Sequence, residues 1–270
     1  MRRSGTISFG LPTFAGATRR IILANLAAFF GLAILHWLAP IPTAVLHNHL
    51  LLEPAAVAHG ELWQLATYSF INDGILNILF AMLTIWFVGY LLEDARGSRW
   101  LTELYAASVI GGALIAGAIS FTHILGLRPD IAGAGAWGGV FGLMIAIAML
   151  FGDQEFYLWF ILRIKAKYMV AIFILIAVAV LLKQADSFGA LLQLSGAFAG
   201  FLFVKFAPHR GLAFGVTERY FGVRNNYYRW KRRRAARKFE VYMRSQGRTV
   251  KFDGSGRQID EDHEDKSRWN

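Results

Sequence analysis

The chain has no cysteine, so disulfides, thiol catalysis and thiolate metal sites are excluded. It has no His-Glu-x-x-His run for an intramembrane zinc site, no aspartate pair inside an apolar segment and no phosphate-binding loop. Charge is scarce too: 17% of residues are Asp, Glu, Lys or Arg, against about 25% in soluble domains. The 35 residues from Pro40 to Gly74 contain no Lys or Arg at all.

What is present is apolar. Hydrophobic residues make up 56% of the chain, with a mean hydropathy of +0.42. They gather into runs approaching the ~20 residues that a bilayer demands. Six spans are predicted, near Ile21–Ala39, Ile75–Leu92, Trp100–Phe121, Ala134–Phe151, Tyr168–Leu182 and Phe188–Phe206. The first is too long for a signal core and no small-residue cleavage site follows it, so it reads as a retained helix.

Positive charge orients the bundle, because cytoplasmic flanks accumulate Lys and Arg. Arg2, Arg3, Arg19 and Arg20 precede span one. Arg96 and Arg99 join spans two and three, and Arg163, Lys165 and Lys167 join spans four and five. The opposite loops hold only Arg128 and Lys183. The reading is an integral multi-pass protein of a bacterial inner membrane with both termini in the cytoplasm. Its parts are a basic N-terminus (1–20), a six-helix all-α membrane domain (21–207), a basic aromatic tail, partly helical (208–252), and an acidic disordered tip (253–270).

Glycines are patterned. Gly135 with Gly139 and Gly138 with Gly142 form overlapping G-xxx-G pairs in span four, and Gly196 with Gly200 another in span six. Such faces let membrane helices approach closely. Four segments stand in order along the chain, two of them containing these pairs. Trp63-Gln64 precedes Thr67-Tyr68-Ser69-Phe70. Gly89, Glu93 and Gly97 make a complete G-x-x-x-E-x-x-x-G. Gly135-Ala136-Trp137-Gly138 leads to Gly142, and Gln193-Leu194-Ser195-Gly196 leads to Gly200.

Over roughly Glu61 to Phe203 these segments resemble the rhomboid family of intramembrane serine proteases, in order, span and spacing. Gln64 stands where the family usually has Arg, and Phe141 where a tyrosine is common. The resemblance implies a six-helix bundle and assigns positions: Trp137 stands at the nucleophilic serine, Gln193 at its histidine, and Asn77 and Ala81 at the two oxyanion residues. None carries the residue that the chemistry requires. Acyl transfer needs a hydroxyl and a base within reach. An indole offers only an N–H, and an amide is not a base near neutral pH. Gln193 is one candidate acceptor for the Trp137 indole N–H, a bond that would convert the catalytic pair into a structural one.

Other polar residues are weaker candidates. Ser195 is expected to bond to its own helix, Lys183 to snorkel beside Ser187, and His36 to sit at the interface with Trp37. His47, His49 and His59 share a loop but have no carboxylate cluster beside them, so no metal and no cofactor is expected. Asn77 and Gln193 are costly inside a membrane and read as interhelical glue or as contacts for a client helix.

Sixteen of the 28 Lys and Arg follow His209. A basic, aromatic helix is expected around 225–245, with Lys231, Arg232, Arg233, Arg234, Arg237 and Lys238 attracted to anionic lipid head groups; nucleic acid is the disfavoured partner. The resemblance implies a pseudoprotease that recognises transmembrane client proteins without cleaving them, in an adaptor, trafficking or quality-control role. The alternative is an active rhomboid-type intramembrane serine endopeptidase, which would need another nucleophile such as Ser195. A transporter is disfavoured by the lack of paired intramembrane charges.

Overall fold

A computed structural model describes residues 13–207, apart from Asp73, 159–161 and 184–185, together with seven residues between 225 and 242. Helix α1 (Gly16–Leu38) is followed by α2 (Pro40–Leu50), α3 (Pro54–Ala58) and α4 (Gln64–Thr67). Then come α5 (Ile75–Arg96), α6 (Ser98–Ser120), α7 (Trp137–Phe151), the strands β1 (Glu155–Leu158) and β2 (Leu162–Lys165), α8 (Ala166–Lys183) and α9 (Ser187–Phe206). All six predicted spans are helices. Among the described residues five of them (α1, α5, α6, α8 and α9) are long and apolar enough to cross a membrane. The remaining one, α7, has 15 residues, which at 1.5 Å per residue is about 22 Å, short of the ~30 Å hydrocarbon core.

The segment from Pro40 to Gly74 is not one long loop but three short helices, α2 to α4. Two open with proline at a first-turn position, where its missing N–H would be unpaired anyway. Leu52 and Gly133 exchange backbone hydrogen bonds of 2.9 and 2.8 Å, and Ala55 N–H donates to Pro129 O at 2.9 Å. The outer segment is thereby stitched to the loop before α7.

At the core, α9 lies against both α6 and α7. The crossings depend on missing side chains. A Cβ on Gly196 would overlap the Gly138 carbonyl oxygen and lie 2.9 Å from Gly138 Cα. One on Gly200 would lie 2.6 Å from Gly142 Cα, and one on Gly112 would lie 2.9 Å from Gly196 Cα. Gly139 faces the Tyr105 ring, and Gly142 faces Ser108. Leu101, Leu104, Leu143, Ile147 and Ile85 fill the interior. The opposite faces carry exposed Leu76, Leu79, Ile172, Leu175 and Phe198; such a surface is stable in lipid, not in water. The protein is an integral membrane protein.

The chain separates into two compact units, 1–212 and 213–270. Of the second, Asn225, Tyr227, Tyr228, Trp230, Lys231, Arg234 and Tyr242 are described, as helical and exposed. Arg234 stands over the Trp230 ring, 5.5 Å from its centroid. Arg232, Arg233, Arg237 and Lys238, the N-terminal Arg2 and Arg3 and the acidic tip lie outside the described residues.

Candidate functional site

The candidate site is built at the start of α7, whose approach is held by Tyr68 and Asn72 of the outer segment. Gly135 has φ +113°, a conformation open to glycine and strained for other residues, and its N–H donates to Tyr68 O at 3.0 Å. The next N–H, Ala136, donates to Asn72 Oδ1 at 3.2 Å. Asn72 in turn reaches buried Asn25 of α1, Nδ2 to Oδ1, at 3.4 Å. Tyr68, fully buried, donates its hydroxyl to Val109 O in α6 at 2.9 Å. Burial, aided by nearby Tyr105, pushes the Tyr68 phenol well above its usual range, so it remains a donor.

Trp137 is the first residue of α7. Its indole N–H donates to Asn77 Oδ1 on α5, and its ring meets Phe141 edge-on, centroids 6.4 Å apart. The candidate Trp137–Gln193 bond is therefore not the one formed. The indole crosses to α5 rather than α9, because the Asn77 carboxamide already offers an acceptor to a buried N–H that requires one. Gln193 lines the same cavity without a hydrogen-bond partner among the described residues.

That cavity has a volume of about 390 Å³. Asn77, Trp137, Gln193 and the Asp186 carboxylate give it polar points; Phe141, Phe173, Ile176 and Val180 give it apolar walls. Three of the four positions assigned by resemblance thus meet in one space. The fourth, Ala81, is fully buried in α5 and does not line it. Asp186 also caps α9, accepting from Gly189 N–H at 3.0 Å. Ser195 lies on another face of α9, and its buried hydroxyl has no hydrogen-bond partner among the described residues. The expected bond to its own helix is not made, and no base is hydrogen-bonded to it as a nucleophile would require.

The G-x-x-x-E-x-x-x-G segment forms a second polar cluster, at the opposite end of α5. Glu93 accepts from Ala17 N–H at 2.7 Å, Thr18 N–H at 3.0 Å and Thr18 Oγ at 2.6 Å, and from the Ser98 hydroxyl. One carboxylate thus satisfies the start of α1 and complements its helix dipole. Gly97, with φ +86°, turns the chain between α5 and α6 in a single residue. Gly89 leaves room for Thr18, whose Oγ is 3.1 Å from where a Cβ would be.

In the outer segment, buried Gln64 accepts from Glu53 N–H at 2.8 Å and donates to Glu61 Oε2 at 2.7 Å. The Trp63 indole donates to His49 O at 2.9 Å, and His49 Nδ1 lies 3.2 Å from the Glu61 carboxylate. Among the described residues no group of three His, Asp or Glu could hold a metal. Sequence reasoning passed over Asn25, although an amide inside a span is the kind of residue worth singling out. It also missed Asp186, which has no signal beyond its place before an apolar helix.

Comparison with known proteins bears on the family. RHOMBOID-like protein 5 of Arabidopsis thaliana is 30% identical over 95 residues, covering 35% of this chain and 30% of that protein. RHOMBOID-like protein 4 of the same plant is 29% identical over 161 residues, 57% of this chain and 37% of the relative. The rhomboid protease GluP of Bacillus subtilis (strain 168) is 28% identical over 97 residues, 36% and 18% of the two chains. The chain therefore spans well under half the length of these three relatives. The family described as Rhomboid domain matches residues 59–210, more than half of the sequence, and the chain belongs to the rhomboid family.

Proposed function

We propose that this rhomboid-family membrane protein is a pseudoprotease that receives transmembrane segments of client proteins without cleaving them. The observation that carries the reading is Trp137, whose indole occupies the nucleophile position and is bonded to Asn77. Gln193, at the position of the base, is an amide and cannot accept the proton. Loss of one dyad member costs several orders of magnitude in rate in serine enzymes, and here both are absent.

The cavity then serves recognition. Its walls on α7 and α8 are apolar, and Asn77, Gln193 and Asp186 offer hydrogen bonds to a polar residue or an exposed carbonyl in an entering helix. The orientation we propose puts Arg19, Arg20, Arg96, Arg99, Lys165 and Lys167 on the cytoplasmic side, and the basic tail beside anionic head groups.

Fluorophosphonate labelling of the purified protein in bilayers tests the first half, with an active rhomboid protease as positive control and a Trp137→Ser, Gln193→His double variant beside it. The native chain should stay unlabelled while the control reacts. Labelling of the native chain would overturn the reading and direct mapping to Ser195. A photo-crosslinking residue at Ile176, in the cavity wall, tests the second half. It should capture transmembrane segments of other proteins; capture of lipid alone would remove the client role.

A further inference from the structure

The cavity walled by α7, α8 and α9 has one ionisable group. Of the described residues that line it, Asn77, Trp137 and Gln193 are polar but neutral, the α8 side is apolar, and Asp186 alone is a carboxylate. An ionisable side chain at the edge of a membrane span is costly, and its partner is the first thing to seek.

Capping accounts for half of this carboxylate. Its Oδ1 accepts from Gly189 N–H at 3.0 Å, and the α9 dipole favours a negative group at that end. Oδ2 takes no part in the cap, and Asn or Ser would cap the helix without a charge. Among the described residues no Lys, Arg or His forms an ion pair with Asp186. Lys183, at the end of α8, is exposed and stays beyond ion-pair distance. Gly189 keeps the carboxylate at the cavity wall: a Cβ there would overlap Oδ2 and stand 2.7 Å from Oδ1.

The volume decides what can enter. At about 390 Å³ the space is near the small end of ligand pockets, ~300–1,000 Å³. A helix ~10–12 Å across fills that volume in less than one turn of ~5.4 Å. The guest helix therefore lies outside, against exposed Ile172 and Leu175 of α8, and a side chain enters. A long aliphatic stem ending in a cation fits both parts of the space, with methylenes along the α8 wall and the charged head at Asp186. The Gln193 carboxamide oxygen offers a second acceptor.

We infer that the cavity selects client membrane segments by a basic side chain: a Lys or Arg of the guest inserts along the α8 wall and pairs with Asp186. The inference rests on the client-binding reading and adds its selectivity. Asp186 sits between the end of α8 and the start of α9, so the basic residue belongs near one end of the guest span rather than at its middle.

Two synthetic transmembrane peptides of Leu and Ala, ~20 residues long, test it. One carries a single Lys four residues from its end; the other has Leu there. Each is reconstituted in phosphatidylcholine vesicles with the full-length protein carrying a photo-crosslinking residue at Leu175, and capture is measured. The Lys peptide should be captured severalfold more than its Leu twin. Asp186→Asn and Asp186→Ser, which keep a capping oxygen and remove the charge, should both erase the preference; two variants keep the outcome readable if one misfolds. Equal capture of both peptides by the native chain would overturn the charge selectivity and leave client binding standing. Capture of neither would remove client binding, and the inference with it. A preference undiminished in the Asn and Ser variants would also overturn it, because the Lys would then be read by another group.

Discussion

The two ends of α5 carry two motif positions with opposite outcomes. At Glu93 the family pattern is complete, and the carboxylate accepts two backbone N–H groups and two hydroxyls. At Asn77 the pattern is gone, and the side chain makes one bond, to an indole that is itself a replacement. The difference separates two kinds of requirement. Glu93 answers a demand of the backbone, because the first N–H groups of α1 have no partner within their own helix. On the proposed reading, the positions of Trp137, Gln193 and Asn77 answer only a demand of chemistry, and without that chemistry a set that packs is sufficient there.

The largest effect is expected at the α7–α9 crossing, which belongs to neither end. Gly196→Ala should cost about 3 kcal/mol or more, because the new Cβ meets backbone rather than a side chain that can turn away. Thermal unfolding in detergent would show it, and wild-type stability would mean that the α7–α9 crossing is looser than described. Next in size, Glu93→Ala should lose about 2 kcal/mol, by leaving helix-terminal donors unpaired and removing a favourable charge at the start of α1. Hydrogen exchange at Ala17 and Thr18 should accelerate with it.

Asn77→Leu should cost less, about 0.6 kcal/mol by the average for interhelical hydrogen bonds in membranes. A cycle with Trp137→Phe should return that same coupling, and zero coupling would mean that the indole finds another acceptor. If Glu93→Ala and Asn77→Leu proved equally costly, the distinction between the two ends would fail.

The smallest effect belongs to exposed Asp153. Its hydrogen bond from Lys167 and the nearby charges of Lys167 and Lys165 hold its carboxyl below the ordinary aspartate range. A depressed pKa stabilises the fold above the ordinary aspartate value and loses that contribution as pH falls through the depressed one. The melting difference between Asp153→Asn and the native protein should be slight at pH 7, as for other surface pairs, and vanish under strong acid.

Most of the helical frame was legible because each long helix is a continuous apolar run. The observed ends of α5, α6, α8 and α9 lie within four residues of the predicted ones. The short helices α2 to α4 were not read, although Pro40 and Pro54 mark two of their starts. The β1–β2 hairpin escaped because its four-residue alternation is brief and lies against the apolar run of a span. Motif spacing singled out Trp137, Gln193 and Asn77, and the structure brings the three to one cavity. The partner of the indole was not legible, since it depends on which helix comes nearer to the ring.

The bare α7–α9 crossing has a consequence for motion. Where Gly138 meets Gly196 and Gly142 meets Gly200, backbone touches backbone, leaving no side-chain slack by which one helix could slide over the other. Helix α8 has only 17% of its membrane window buried, so it gives up far less contact by swinging. Admission of a guest into the cavity should therefore displace α8 around an immobile α7–α9 spine, and distance changes measured between labelled helices would concentrate on that one wall.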